Sequence, residues 1–231
     1  MIKVLSLLNT LIFISFFYQT SQSQFNIKVG YRGGFSKMEG INSVIKEFNE
    51  KYFTLEDKLD EYKSLHGLEL GVRYRMGAAA VELSWCNQTN RSDAVGRLPD
   101  GRSFQDKWFL SFTEWAFGLE SYIGEYFGYG ASIGYTSLNF RTDIEGSRRK
   151  RRLAASDDAY NTRFYLLYQY PGERVSIAFK PYIQFPLSKY NVSGFDQDLN
   201  FALDPEYIAL PGREEKLMIY GISILLYNGR Q

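Results

Sequence analysis

The stretch RFYLLYQYPGERVSIAFKPYIQF, residues Arg163 to Phe185, alternates apolar and polar residues on both sides of a Pro-Gly pair. Two alternating runs around a tight turn signal predict a β-hairpin whose two faces differ in polarity. Pro181 lacks the N–H that an internal strand needs, so we expect a local β-bulge there. The apolar face carries Phe164, Leu166, Tyr168, Tyr170, Val175, Ile177, Phe179, Ile183 and Phe185, and the other carries Arg163, Gln169, Ser176, Lys180 and Gln184.

The same two-residue period recurs in six further segments, which brings the predicted strands to eight. Turns at 76–77, 121–125 and 171–174 are short, whereas the connections 37–66, 89–107, 141–160 and 186–215 are long. With an even number of strands, all short turns fall at one end and all long loops at the other. This pattern predicts an all-β, eight-stranded, antiparallel, up-and-down transmembrane β-barrel. The other segments are NIKVGYRGGFS, GLELGVRYR, AAAVELSWCNQ, WFLSFTEWAFGLE, FGYGASIGYTS and KLMIYGISILLY.

The first long loop contains apolar residues at helical spacing. Ile41, Val44, Ile45, Phe48 and Phe53 would share one face of a helix. We therefore expect a short amphipathic helix packed over the mouth of the barrel.

The N-terminus has one lysine, an apolar run from Val4 to Phe17 and a small polar tail. The run is short for a membrane-spanning helix, which favours a secretory signal peptide over residues 1–23 and a barrel domain over residues 24–231. The single cysteine, Cys86, excludes an internal disulfide framework. A formal net charge of +1 argues against nucleic acid as a partner.

The two faces of the strands allow two arrangements. In a soluble barrel the apolar face points inward, and in a membrane barrel it points toward lipid. Glycine and small residues on the polar face favour the membrane arrangement, because an eight-stranded lumen has room only for closely packed side chains. Alternation alone is equally compatible with a polar face in water. In the membrane arrangement an internal charge network is predicted for Lys28, Arg32, Glu69, Arg73, Glu82, Glu114, Glu120, Arg163 and Lys180.

Aromatic residues lie at both margins of the apolar face, as interfacial girdles require. Near the short turns these are Tyr74, Phe127, Tyr168 and Tyr170, and toward the long loops Phe35, Trp85, Phe109, Tyr135 and Phe185.

Four segments carry a resemblance to a known family: the leader ending in SQSQ, the first strand FNIKVGYRGGFSK, FGYGASIGY and the terminal strand LMIYGISILLY. Over essentially the whole mature chain, the sequence resembles the small outer-membrane β-barrel family, the OmpA-like and PorT-like porin-family domains of Gram-negative envelopes. The resemblance implies an outer-membrane location after cleavage of the signal peptide. It also implies outer-membrane lipid, lipopolysaccharide and other envelope proteins as partners.

His66 is the only histidine and lies where the first long loop enters the second strand. Some eight-stranded barrels are lipid A-modifying enzymes that use a histidine with a serine and an acidic residue. Ser64, Ser92 and Asp93 are the candidate partners, but no spacing brings them together. We therefore predict a protein without enzymatic activity.

The run Arg148, Arg149, Lys150, Arg151 and Arg152 is the strongest local charge signal. In the third long loop it would contact lipopolysaccharide phosphates or remain solvated. The sequence has no metal-ligand spacing and no phosphate-binding loop, so no metal or cofactor is predicted.

Together these features predict an integral outer-membrane barrel with a lumen filled by side chains. Its role would be structural, in surface interaction, or accessory to an envelope machine. The alternatives are a lipid A-modifying enzyme and a secreted soluble barrel that binds an apolar ligand.

Overall fold

The computed structural model describes residues 23–51, 55–97, 103–143, 151–201 and 203–228. The predicted signal peptide, residues 1–23, lies outside these residues except for Ser23, where the first strand begins. The elements are β1 (Ser23–Phe35), α1 (Glu39–Lys51), β2 (Leu55–Asp57), β3 (Ser64–Met76), β4 (Ala79–Arg97), β5 (Ser103–Ile123), β6 (Phe127–Asp143), β7 (Arg151–Tyr170), β8 (Val175–Pro186), β9 (Tyr190–Asn191), α2 (Ser193–Phe201), β10 (Glu214–Glu215) and β11 (Ile219–Asn228).

Within the described residues, eight long antiparallel strands form a closed barrel in the order β1, β3, β4, β5, β6, β7, β8, β11. The last of them, β11, pairs with β1 from Lys28↔Tyr227 to Phe35↔Tyr220, which closes the cylinder. Over the length of the cylinder, closure pairs both edge strands, so the barrel itself has no free sheet edge there. The predicted eight-stranded up-and-down barrel is confirmed.

The short turns lie where the sequence predicted them, all at one end of the barrel. Gly77 and Gly124 occupy positive-φ positions in two of these turns, at 59° and 74°. A residue without a Cβ adopts this left-handed backbone at little cost. The strand pairs Ser23↔Met76 and Asn228↔Val175 bring the two ends of the barrel sequence to the same side.

At the opposite end, four strands continue far beyond the others. β4 pairs with β5 as far as Arg97↔Ser103, and β6 pairs with β7 as far as Asp143↔Arg151. The predictions of long loops over 89–107 and 141–160 are therefore wrong, since most of both segments is strand. We call these two extended hairpins, β4–β5 and β6–β7, the tall wall.

The predicted bulge at Pro181 is also wrong. On both sides of this residue the β7–β8 register is the same, from Tyr165↔Tyr182 to Tyr168↔Phe179, and only the ladder pairs between them are missing. Pairing of Pro181 with Ile222 of β11 is continuous. Well-paired residues on either side hold the register, so the missing N–H interrupts the ladder without an inserted residue. A register shift occurs instead between β6 and β7, where Ala154 is the extra residue beside Phe140 and Arg141.

The apolar face of the strands points outward over the lower part of the barrel. Exposed residues there include Leu119, Ile133 and Leu166, while Glu120, Ser132 and Arg163 on the other face are buried. Glycines make room inside: a Cβ at Gly130 would lie 2.6 Å from ring carbons of Tyr165, and one at Gly71 would lie 2.6 Å from Cε of Lys28. The lower barrel therefore has an apolar exterior and a crowded polar interior, as a membrane barrel requires.

The first and fourth long loops fold over the mouth of the barrel. We call the described residues of 37–63 and 187–217 the cap. Helix α1 buries Ile41, Val44, Ile45 and Phe48, which confirms the predicted amphipathic helix, while Phe53 lies outside the described residues. Helix α2 was not predicted. Within the described residues, neither helix combines the length and apolar character that crossing a bilayer requires.

The cap encloses a hydrophobic core against the inner surface of the tall wall. Phe195 of α2 stacks on Phe140 with ring centroids 4.1 Å apart and packs edge-on against Trp108 at 5.3 Å. Leu110, Phe112 and Leu138 of the wall belong to the same buried cluster, as do the apolar residues of α1. The upper barrel thus resembles the core of a soluble domain.

Candidate functional site

The lumen holds nine charged side chains, each at most 4% exposed. They are the residues of the predicted network: Lys28, Arg32, Glu69, Arg73, Glu82, Glu114, Glu120, Arg163 and Lys180. Because the lumen of an eight-stranded barrel is only wide enough for side chains, residues from opposite sides of the barrel come within contact distance. The structure places all nine inside the barrel.

Two lysines and three glutamates form a chain across the lumen. The Lys28 ammonium lies 2.6 Å from Glu69 and 2.7 Å from Glu82. Lys180 lies 2.9 Å from Glu82 and 2.8 Å from Glu120. Each lysine thus bridges two carboxylates, and Glu82 accepts from both lysines. Charges so deep in a protein are tolerated only with such complete pairing.

Two arginines extend the network toward the cap. Arg32 Nε donates to Glu69 at 2.7 Å, and its Nη1 donates to Glu114 at 3.0 Å. Arg163 Nη1 lies 3.3 Å from the same Glu114 carboxylate. Ser223 of β11 adds a hydroxyl donor to Glu69 at 2.8 Å. The carboxylates therefore connect strands that are distant around the barrel wall.

The short-turn end of the lumen is closed by Arg73 and its neighbours. Its Nη1 donates to the Tyr122 hydroxyl at 2.7 Å and to Gln169 at 3.0 Å, and its Nη2 donates to Asn26 at 3.1 Å. The guanidinium lies 3.8 Å from the centroid of the Tyr227 ring, within cation–π range. This cluster lies below the lysine and glutamate chain, toward the short turns.

The proposed catalytic residues are not assembled into one site. His66 lies on the outer face of β3 and stacks on Tyr31, with ring centroids 6.2 Å apart. Ser92 is buried on the inner face of β4 and donates to the backbone oxygen of Asp60. Asp93 points outward and is paired with Arg91, and among the described residues no hydrogen bond joins Ser64 to His66. A nucleophile, base and acid need direct contact, and the barrel wall separates Ser92 from His66 and Asp93.

The basic run lies mostly beyond what the structure describes. Arg148, Arg149 and Lys150 are outside the described residues, and β7 begins at Arg151. Arg152 is exposed, with Nη2 3.4 Å from Asp198 of α2. In the described parts of the chain, no group of three or more His, Cys, Asp or Glu side chains is arranged to hold a metal ion.

Aromatic residues form a row around the outer surface where the apolar band ends. Strand pairing places Trp85 beside Trp115, Trp115 beside Tyr135 and Tyr135 beside Tyr160. Around the rest of the circumference the row includes Phe185, Tyr220 and Phe35, all outward-facing. We call this ring the upper aromatic row. Trp and Tyr favour the headgroup level of a bilayer, so the row has the composition of an interfacial girdle.

The lower limit of the band has aromatic residues as well. Phe127 and Tyr168 are neighbours, with ring centroids 5.1 Å apart, and Phe25 pairs with Tyr74. The ten residue steps from Tyr160 to Tyr170 rise roughly 33 Å along β7. A strand tilt of about 40° reduces this to roughly 25 Å along the membrane normal, the height of the apolar band of outer-membrane barrels. The chain therefore has the strand number and the apolar band height of a small eight-stranded outer-membrane barrel.

The outer face of the tall wall above the aromatic row is a surface that the sequence pattern did not predict. Phe109 was predicted to belong to the girdle but lies six residues beyond Trp115, with Arg91 and Arg141 on either side of it. Both arginines fall in segments predicted as loops. The signal that could have identified this surface is the continuation of alternation beyond Asn87.

No protein-family model and no curated protein matches the chain. Among solved structures, it is similar to Ail, the attachment invasion locus protein of Yersinia pestis, in complex with the heparin analogue sucrose octasulfate. This match has 13% identity and a TM-score of 0.46, and it covers 88% of this chain and 99% of that chain. The chain is also similar to neisserial surface protein A (NspA), with 8% identity, a TM-score of 0.47, and coverage of 90% of this chain and 99% of that chain.

Proposed function

We propose that the chain is an integral outer-membrane protein of a Gram-negative envelope whose barrel anchors a folded extracellular cap without conducting ions. The observation that carries the proposal is the apolar band, bounded by aromatic residues above and below, on the outside of a barrel with a charged lumen. Such a surface is stable in lipid and would aggregate in water.

The proposed lack of conduction rests on the filled lumen. The lysine and glutamate chain crosses the barrel, and the cluster around Arg73 lies beneath it. Eight-stranded barrels are wide enough only for side chains, so opening a pore would require breaking buried ion pairs.

The proposed role at the cell surface rests on the cap. A barrel that serves only as an anchor does not need an extracellular core, yet here α1, α2 and the tall wall bury one together. A rigid cap presents a constant surface, which lowers the entropy cost of binding a partner. The protein would act in envelope structure, in surface interaction, or as an accessory to a larger envelope machine.

Export is proposed to depend on the predicted signal peptide over residues 1–23. The basic run from Arg148 to Arg152 remains a candidate for lipopolysaccharide contact, because clustered guanidinium groups bind phosphate. The separated positions of His66 and Ser92 give no support to a lipid A-modifying enzyme. A soluble barrel for an apolar ligand would need an apolar lumen, and this lumen is charged.

Membrane extraction and conductance test the proposal. We expect the mature protein to remain in the membrane pellet after alkaline extraction, and to migrate faster on gels when it is not heated. Purified protein in planar bilayers should show no stable conductance steps. Release into the soluble fraction would refute membrane integration, and steady conductance would refute the filled lumen.

Cysteine labelling tests the orientation of the cap. Glu50 lies on α1 and Glu125 lies in a short turn, and both are exposed. Cys86 is buried and should give little background. We expect an impermeant maleimide to label Glu50→Cys on intact cells, and Glu125→Cys only after the outer membrane is permeabilised. The reverse pattern would contradict an extracellular cap.

A further inference from the structure

The outer face of the tall wall carries a polar groove directly above the upper aromatic row. Its volume is about 500 Å³, and side chains of β3, β4, β5 and β6 line it. Strand pairing arranges these side chains in rows that run across the strands, since each outward position has an outward neighbour on the next strand.

The highest row is cationic. Arg91 pairs with Phe109, and Phe109 pairs with Arg141, so one ring lies between two arginines on adjacent strands. The Arg91 guanidinium lies 5.7 Å from the Phe109 ring centroid and is also paired with Asp93. Arg141 is exposed and, among the described residues, has no ion pair. The two arginines lie two strand spacings apart, roughly 10 Å between their backbones, so their long side chains can converge on one phosphate group.

The rows beneath carry neutral hydrogen-bonding groups. His66, Thr89 and Ser111 are successive neighbours across three strands. Asn87 is the next outward residue of β4, toward the aromatic row. Its side-chain amide donates to the hydroxyl of Thr113 at 2.8 Å and to that of Ser111 at 3.2 Å. Hydroxyl and amide groups in this arrangement match the hydroxyls of a sugar.

The register shift between β6 and β7 lies at the edge of this groove. Phe140 pairs with Ala155 but Arg141 pairs with Leu153, so the extra residue, Ala154, lies on β7 opposite Arg141. Bulges are common next to binding sites, where they interrupt the regular ladder. Arg141 itself keeps the outward alternation of β6 and has no ion pair in the described structure.

The height of the arginine row limits which lipid fits. Phe109 lies six positions along β5 from Trp115. This places it roughly 20 Å away along the strand and roughly 15 Å away along the membrane normal. The phosphate of a glycerophospholipid lies near the aromatic row and would not reach the arginines. A phosphate attached to the sugars of a glycolipid headgroup would reach them.

We propose that this groove binds the phosphorylated sugar headgroup of an outer-leaflet glycolipid. Arg91 and Arg141 bind the phosphate, and the His66, Thr89 and Ser111 row contacts the sugars. The inference rests on the proposed outer-membrane location, and it is separate from the basic run at Arg148–Arg152. A lipid held in this way would fix the depth and rotation of the tall wall in the membrane.

Binding to purified, folded protein in a phosphate-free detergent tests the inference. The double variant Arg91→Gln, Arg141→Gln is compared with wild type and with Arg97→Gln, an exposed arginine on the same face of β4 whose partner is Glu56. The probes are a glycolipid phosphorylated on its core sugars, the same lipid after dephosphorylation, phosphatidylglycerol and inorganic phosphate. Binding is followed by tryptophan fluorescence and by native mass spectrometry.

We expect the double variant to bind the phosphorylated glycolipid about tenfold to hundredfold more weakly than wild type, since two charge-assisted contacts are lost. Arg97→Gln should change binding by about twofold or less. The dephosphorylated lipid, phosphatidylglycerol and inorganic phosphate should all bind wild type weakly. Equal binding by wild type and the double variant would overturn the inference, as would tight binding of the dephosphorylated lipid or of either simple phosphate.

The same samples separate this inference from the proposed function. All proteins are first tested for heat-modifiable migration and for retention in the membrane pellet. If wild type fails these tests, the proposed outer-membrane function is wrong. If wild type passes them and the double variant still binds like wild type, only the groove assignment is wrong.

Discussion

The lower and upper halves of the barrel share the same strands but have opposite polarity. On the inner face of β5, Glu120 and Glu114 lie at membrane level, and Phe112, Leu110 and Trp108 follow above them on the same side. On the outer face of β5 the polarity changes in the other direction, from the apolar Phe117 and Trp115 to the polar Ser111 and Lys107. The change on both faces occurs near the upper aromatic row.

The medium outside the wall explains this difference. In the proposed membrane location, lipid covers the apolar side chains of the lower barrel, so the polar ones must lie inside and pair with each other. Above the membrane, water solvates the outer face, and apolar side chains become buried when the cap covers the inner face. The inner face of a barrel is therefore polar or apolar according to what surrounds the outer face at that height.

Removal of one carboxylate from the lumen should have the largest effect. Glu82→Gln leaves Lys28 and Lys180 with one carboxylate partner each, in a site without water exposure. We expect the free energy of unfolding to fall by about 3–5 kcal/mol, seen as a lower urea midpoint of the heat-modifiable form. Glu56→Gln, at an exposed ion pair with Arg97, is the control and should cost at most about 1 kcal/mol. Equal effects of the two variants would show that the buried network does not stabilise the barrel.

Loss of an aromatic ring from the cap core should affect the upper half alone. Phe195→Ala removes the ring that packs on Phe140 and Trp108, and we expect a cost of about 3 kcal/mol to the cap. Protease cleavage within the cap should become faster while heat-modifiable migration is unchanged. Phe201→Ala, on an exposed position of the same helix, should leave cleavage as in wild type. An equal loss of barrel stability would show that the two halves unfold as one unit.

A charge on the outer face should be tolerated only above the aromatic row. Ile133 and Asn139 lie on the same face of β6, one below Tyr135 and the other above it. We expect Ile133→Arg to destabilise the folded protein by about 2 kcal/mol in lipid vesicles, because the guanidinium would enter hydrocarbon. Asn139→Arg should change stability by less than about 0.5 kcal/mol, as measured by the same urea titration. A comparable cost for both would place the membrane surface higher than the aromatic row.

The smallest effect concerns a buried carboxylate of the cap. Burial raises the pKa of Glu215, which accepts the backbone N–H of Ile41 at 3.0 Å. With a folded-state pKa above the unfolded one, the folded cap binds the proton more readily and gains stability as the pH falls through this pKa. Glu215→Gln keeps an acceptor oxygen, so it should stabilise the cap by less than about 1 kcal/mol at neutral pH.

The thermal midpoint of the cap is measured for wild type and for Glu215→Gln, each at neutral and at mildly acidic pH. Wild type should gain stability toward acidic pH, and the variant should show a flatter profile. A steeper profile in the variant would mean that another group controls the titration.

Much of the lower barrel could be predicted because alternation is a local signal. At membrane level, lipid outside and a narrow lumen inside impose the same two-residue period on every strand, so Arg163 and Phe164 could be assigned to opposite faces. The short turns were equally clear, since Pro171 and Gly172 mark one directly. Helix α1 could be predicted for a similar reason, because the helical spacing of apolar residues from Ile41 to Phe48 is also a local pattern.

The upper barrel could not be predicted in the same way. In β5 the inversion of polarity places apolar residues on both faces near Phe109 and Phe112, which weakens the period just where the strand continues. Phe195 of helix α2 is buried because Trp108 and Phe140 cover it, and these partners are distant in sequence. The row of Arg91, Phe109 and Arg141 exists only through strand pairing.

By itself, the sequence determined the number of strands, the faces of their lower halves and the end of the barrel at which the short turns lie. These follow from side-chain alternation and turn chemistry, which act between neighbours along the chain. Only the tertiary structure decided the height of the tall wall, the core beneath the cap and the partner of each buried charge. These depend on contacts between residues far apart in sequence, and burial makes such contacts obligatory for every charge in the lumen.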